Sequence, residues 1–121
     1  MSANPIIDIV AGNAHTTSAT TTTLITLTPP ADGLTIHVHW TAVGIESVSG
    51  EITTYEAIAS FKNPAGAMAQ SGTTTILHEV DEDTNVVFVE SSNDTSILLR
   101  VTPSSDVSDW SAWAQVTYIV V

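Results

Sequence analysis

The chain has 121 residues, 43% of them hydrophobic and 12% charged, with no cysteine; that suits one core folding without disulfides and is too little for two. Thirteen acidic residues stand against two basic ones, Lys62 and Arg100, for a formal charge of −11. Two isolated cations cannot follow a phosphate backbone or an anionic bilayer, which excludes nucleic acid and membrane surfaces as partners and leaves attraction to basic surfaces.

The opening MSANPIIDIVAGNAH lacks a basic region, and its apolar run Ile6 to Val10 is interrupted by Asp8, so it does not read as a secretory leader. No segment approaches the roughly 20 apolar residues of a membrane helix. A soluble protein made in a cytoplasm is expected. Residues 1–19 are small and polar around that one apolar patch. They are expected to form an extended N-terminal arm, with a possible strand at 6–10, ordered only where a partner holds it.

Nineteen threonines, mostly beside Val, Ile and Leu, favour strands, because β-branched side chains fit a pleated sheet better than a helix. Residues 21–28, ending before Pro29-Pro30, form the first strand of the body. In 34–42 every even position is apolar and every odd one is Thr or His, so Trp40 faces a core and His37 and His39 face away. In 53–62 the apolar set moves to Tyr55, Ala57, Ala59 and Phe61, and Asn63-Pro64-Ala65-Gly66 makes a turn. Shorter strands are expected at 70–80, 85–90 and 96–102, punctuated by Asp81-Glu82-Asp83 and Ser91-Ser92-Asn93-Asp94. A last one at 110–121 turns Trp110 inward and Trp113 outward. These elements predict an all-β fold, an antiparallel β-sandwich or jelly roll of about seven to eight strands. The arm would occupy 1–19 and the sandwich 20–121.

Few motifs carry chemistry. His37 and His39 share a strand face at a spacing some zinc sites use, but Thr neighbours make that face an ordinary polar surface, and contact histidines are the better reading. Asp81-Glu82-Asp83, Asp94, Asp106 and Asp109 match no EF-hand spacing and read as solvated turns. There is no Gly-x-Ser-x-Gly elbow, no cysteine nucleophile and no phosphate-binding glycine loop. No enzyme activity, cofactor or metal is expected. Trp113 is a candidate contact residue, and Ile6, Ile7, Ile9, Val10, His37 and His39 complete the candidate partner-binding set.

From about Thr20 onward an order of features emerges. The run Thr20-Thr21-Thr22-Thr23 leads into Leu24-Ile25; the segment Tyr55-Glu56-Ala57-Ile58-Ala59-Ser60-Phe61 ends in a Gly turn; then come Gly72-Thr73-Thr74-Thr75, the acidic turn at 81–83, Ile97-Leu98-Leu99-Arg100-Val101-Thr102 and Trp113-Ala114. This order resembles a group of tailed-bacteriophage virion proteins, β-sandwich domains of coat-associated proteins or tail fibres. It departs from them at residues 103–109, where relatives often carry a Gly-rich link.

The resemblance implies a virion structural protein without an active site, made in the host cytoplasm and located on the outer capsid surface or the tail. A capsid decoration or cement protein is the first expectation. Its arm would add a strand to the major coat protein or another virion protein, burying Ile6, Ile7 and Ile9, and copies would form trimers or dimers. The alternatives are a tail-associated receptor-binding or fibre-tip domain, and a carbohydrate-binding or adhesion module.

Overall fold

The computed structural model describes residues 5–64, 67–83 and 85–120; Ala65 and Gly66 of the expected turn lie outside them. Eight strands follow one another: β1 (Ile6–Thr16), β2 (Thr22–Leu27), β3 (Leu34–Glu46), β4 (Ile52–Lys62), β5 (Ala69–Asp81), β6 (Val87–Ser92), β7 (Ile97–Thr102) and β8 (Ser108–Val120). No α-helix occurs among the described residues. The strands form two antiparallel sheets, one in the order β1-β8-β3-β4-β5 and the other in the order β2-β7-β6. The expected all-β sandwich is the observed fold. Consecutive hairpins build β3, β4 and β5, whereas β1 pairs β8, β3 pairs β8 and β2 pairs β7 across long stretches of sequence.

The core lies between the sheets and is organised by size. Trp40 is fully buried, and its register partners on both sides are alanines, Ala57 on β4 and Ala114 on β8. Two small neighbours leave the room that the indole fills, which is how a sheet face reaches close packing without strain. Tyr55 stacks on Phe88 with ring centroids 4.3 Å apart, and Phe88 meets Trp40 and Trp110 edge-on, each at 5.9 Å. Buried indole and phenol groups still need polar partners. Glu90 on β6 supplies one: its Oε2 accepts from Trp40 Nε1 at 3.0 Å and from Tyr55 Oη at 2.7 Å.

Residues 6–16, expected as part of an arm, run as the edge strand β1, paired with β8 from Ile6 opposite Tyr118 to Thr16 opposite Ser108. The holding partner is thus the same chain. Gly12 lets the strand approach β2: a Cβ there would press into the Leu24 carbonyl oxygen and stand 3.3 Å from Ile25 Cγ1. Thr16 is buried, and its Oγ1 accepts from Trp110 Nε1 at 3.0 Å. At the opposite edge β5 is mostly exposed, Ile76, Leu77 and Val80 included.

Candidate functional site

The alternation that buries Ile36, Val38 and Trp40 turns Thr35, His37, His39 and Thr41 away from the core. Register carries this face across the whole five-stranded sheet. Ala11, Trp113, Thr41, Glu56 and His78 form one crosswise row; Ile9, Gln115, His39 and Ile58 form the next, and Ile7, Thr117, His37 and Ser60 the one after. His15 joins the same side opposite Asp109, its Nδ1 2.6 Å from Asp109 Oδ1. All four histidines of the chain therefore stand on one sheet face.

The centre of the face is built from three side chains on three strands. His39 Nε2 donates to Glu56 Oε2 at 2.8 Å, and the His39 ring lies 6.2 Å from the Trp113 ring at 47°. Trp113 is 43% exposed, so its indole offers a surface rather than a second core layer. The His39 and Glu56 side chains are about one-third exposed. A pair so open to water adds little stability; its consequence is orientation. Glu56 fixes the imidazole beside the indole, and Gln115, opposite His39, adds an amide. An apolar ring face bordered by hydrogen-bonding groups matches the two-sided character of a sugar ring.

Of the residues singled out in the sequence, Ile7, Ile9, His37, His39 and Trp113 come together on this face. Ile6 and Val10 do not: they point to the other side of β1, where Val10 packs against the core. Sequence reasoning missed Glu56 as the partner of His39, although alternation already places it on the outward side of its strand. Among the described residues His37 and His39 join no cluster of three close ligand atoms, whereas Glu46, Asp83 and Asp106 form such a group.

No family model matches the chain, and no curated protein does. Among solved structures, the tailspike protein of Acinetobacter phage vB_ApiP_P1 aligns over 89% of this chain and 20% of its own, at 11% identity and a TM-score of 0.53. The tailspike protein of Acinetobacter baumannii phage AM24 aligns over 95% of this chain and 26% of its own, at 11% identity and a TM-score of 0.47. The chain spans about a fifth to a quarter of these proteins' length. The first likeness is one of fold: this sandwich resembles a portion of a phage tailspike.

Proposed function

We propose that the chain is a bacteriophage tail-associated domain that binds a cell-surface glycan through the outward face of its five-stranded sheet. The observation that carries this reading is the exposed Trp113, bordered by the His39–Glu56 pair, on a rigid sheet. The indole stacks on the C–H face of a sugar, and Glu56, His39 and Gln115 take its hydroxyls. The fold likeness to a tailspike supports a tail location over the capsid surface. So does β1, whose pairing with β8 occupies one of the two edges a cement arm would offer a coat subunit. The open edges of the five-stranded sheet, on β1 and β5, are where a further virion protein or a second copy of the chain would join.

The proposed role is binding rather than cleavage. Hydrolysis of a glycosidic bond takes two carboxyls facing each other across it, whereas beside Trp113 and His39 the face presents Glu56. The test is binding of the purified chain to host surface polysaccharide, with product analysis on the same samples. Trp113→Ala should weaken binding at least tenfold and leave the circular dichroism unchanged. Undiminished binding by Trp113→Ala and Glu56→Gln would remove the face from the reading, and shortened polysaccharide would replace binding with catalysis.

A further inference from the structure

One sheet has five strands and the other three, and the uncovered width falls on one flank. At the other flank β2 lies against β1, close enough that Gly12 has no room for a Cβ beside Leu24. Here β5 reaches past β6. Ile76 is the register partner of buried Ala57 and so stands on the core side of β5, yet it is 54% exposed. Glu79, on the same side opposite buried Tyr55, is exposed as well. Val86 and Phe88 are only partly buried at this margin. Leu77 and Val80 on β5, with Val87 and Val89 on β6, extend it into an exposed apolar strip.

The form of the flank narrows what can cover it. β5 and β6 are both edge strands, one in each sheet. They run in opposite directions: Val86 N, just before β6, donates to Asp81 Oδ2 at the end of β5, and Ser92 Oγ, at the end of β6, donates to the Met68 carbonyl just before β5. Neither strand contains Lys or Pro, residues with which edges commonly block pairing. An occupant that covers the core side of β5 has to lay one strand beside β6 and, in the other layer, one beside β5. This flank has that form itself, with two antiparallel edges in two layers and one layer overhanging the other.

We propose that a second copy of the chain interlocks with the first at this flank, about a two-fold axis parallel to the strands. β5 of each copy lies beside β6 of the other, so each five-stranded sheet continues into the other copy's three-stranded sheet. Such an axis preserves strand direction, and the new neighbours are therefore antiparallel, the more stable pairing. The overhanging core sides of the two β5 strands face each other across the roughly 10 Å that separates packed sheets. Ile76 then meets the second copy's Ile76, and water leaves the apolar strip. Glu79 comes to face its own counterpart, which opposes the association, as does the charge of −11 on each copy. The outward face that carries Trp113 stays open in both copies, so this joint stands independently of glycan binding.

Sedimentation equilibrium of the full chain tests the joint, with twice the mass of one chain expected as concentration rises. Ile76→Asp, at an exposed position, should keep the sheet signal in circular dichroism and weaken association about tenfold or more, because it buries an unpaired charge. Glu79→Gln should tighten association, and added sodium chloride should do the same by screening the repulsion between copies. Ile9→Asp, on the β1 edge, and Trp113→Ala, on the outward face, should leave the mass unchanged. A chain that stays monomeric up to its solubility limit overturns the interlock, and so does a closed assembly of three or more copies. Association undiminished by Ile76→Asp, weakened by Glu79→Gln or lost in Ile9→Asp overturns it too.

Discussion

The indole of Trp110 occupies the space that a side chain at position 44 would take: a Cβ on Gly44 would stand 2.7 Å from Trp110 Cη2 and nearer still to Cζ3. The two residues are register partners on β8 and β3. Trp110 cannot retreat, because Phe88 meets its ring edge-on and its Nε1 donates to buried Thr16. Gly44→Ala is therefore expected to destabilise the protein by about 3 kcal/mol, the upper end for overpacking. Gly50→Ala is strained differently, by a φ of +73° with open space around it, and should cost about 1–2 kcal/mol. Urea unfolding of both variants checks the order, and a Gly44→Ala protein of unchanged midpoint would contradict the packing.

Glu90 serves two buried donors with one oxygen. Glu90→Ala leaves Trp40 Nε1 and Tyr55 Oη without an acceptor and should cost about 3 kcal/mol or more. Glu90→Gln keeps a carbonyl oxygen in place and should lose clearly less. Equal losses for the two variants would mean that a neutral carbonyl oxygen on the same stem does not suffice and that the carboxylate's charge holds the aromatic cluster.

Both tyrosines resist ionisation. Burial, then the hydrogen bond to Glu90 and its charge, push Tyr55 well above the ordinary phenol value; burial and the charge of Asp8 push Tyr118 upward as well. A raised folded-state pKa gives stability that is fully present below the unfolded value of about 10 and is lost as pH climbs beyond it. Spectrophotometric titration should thus show no gradual tyrosinate signal around pH 10; both rings should ionise together as the protein unfolds. Independent, reversible ionisation near that pH with intact circular dichroism would contradict the burial.

The legibility of this fold follows the distance over which each feature is decided. The alternation from Leu34 to Ala42 and from Trp110 onward depends on neighbours two residues apart, so it was readable, as was the inward turn of Trp40 and Trp110. The length of β1 was not, because Gly12 is suited to it by the close approach of Leu24 on another strand. Ser91 and Ser92, read as punctuation, belong to β6 because they pair with Leu98 and Ile97. The outward parity of His39, Glu56 and Trp113 was legible strand by strand. Their meeting depends on β3 lying between β4 and β8, a non-local choice that no local pattern encodes. The grouping of Glu46, Asp83 and Asp106 was hidden for the same reason.

That pairing of β1 with β8 also sets what truncation does. Removing residues 1–19 takes away every main-chain bond between β1 and β8, leaves Trp110 Nε1 without Thr16, and uncovers Leu24 and Ile25 where Gly12 lies against them. Val10 and Ala14 leave the margin of the core with it. The loss should exceed about 5 kcal/mol, comparable to the whole stability of an ordinary domain. The truncated chain is therefore expected to lose cooperative unfolding and to bind a hydrophobic dye. His15→Ala separates this from a surface effect: the His15–Asp109 pair is more than half exposed, and its loss should cost less than about 1 kcal/mol. A truncated protein that still melts in one sharp transition would show that β1 is a detachable arm after all, and would return strand donation to a neighbouring virion protein as the better account of Ile6, Ile7 and Ile9.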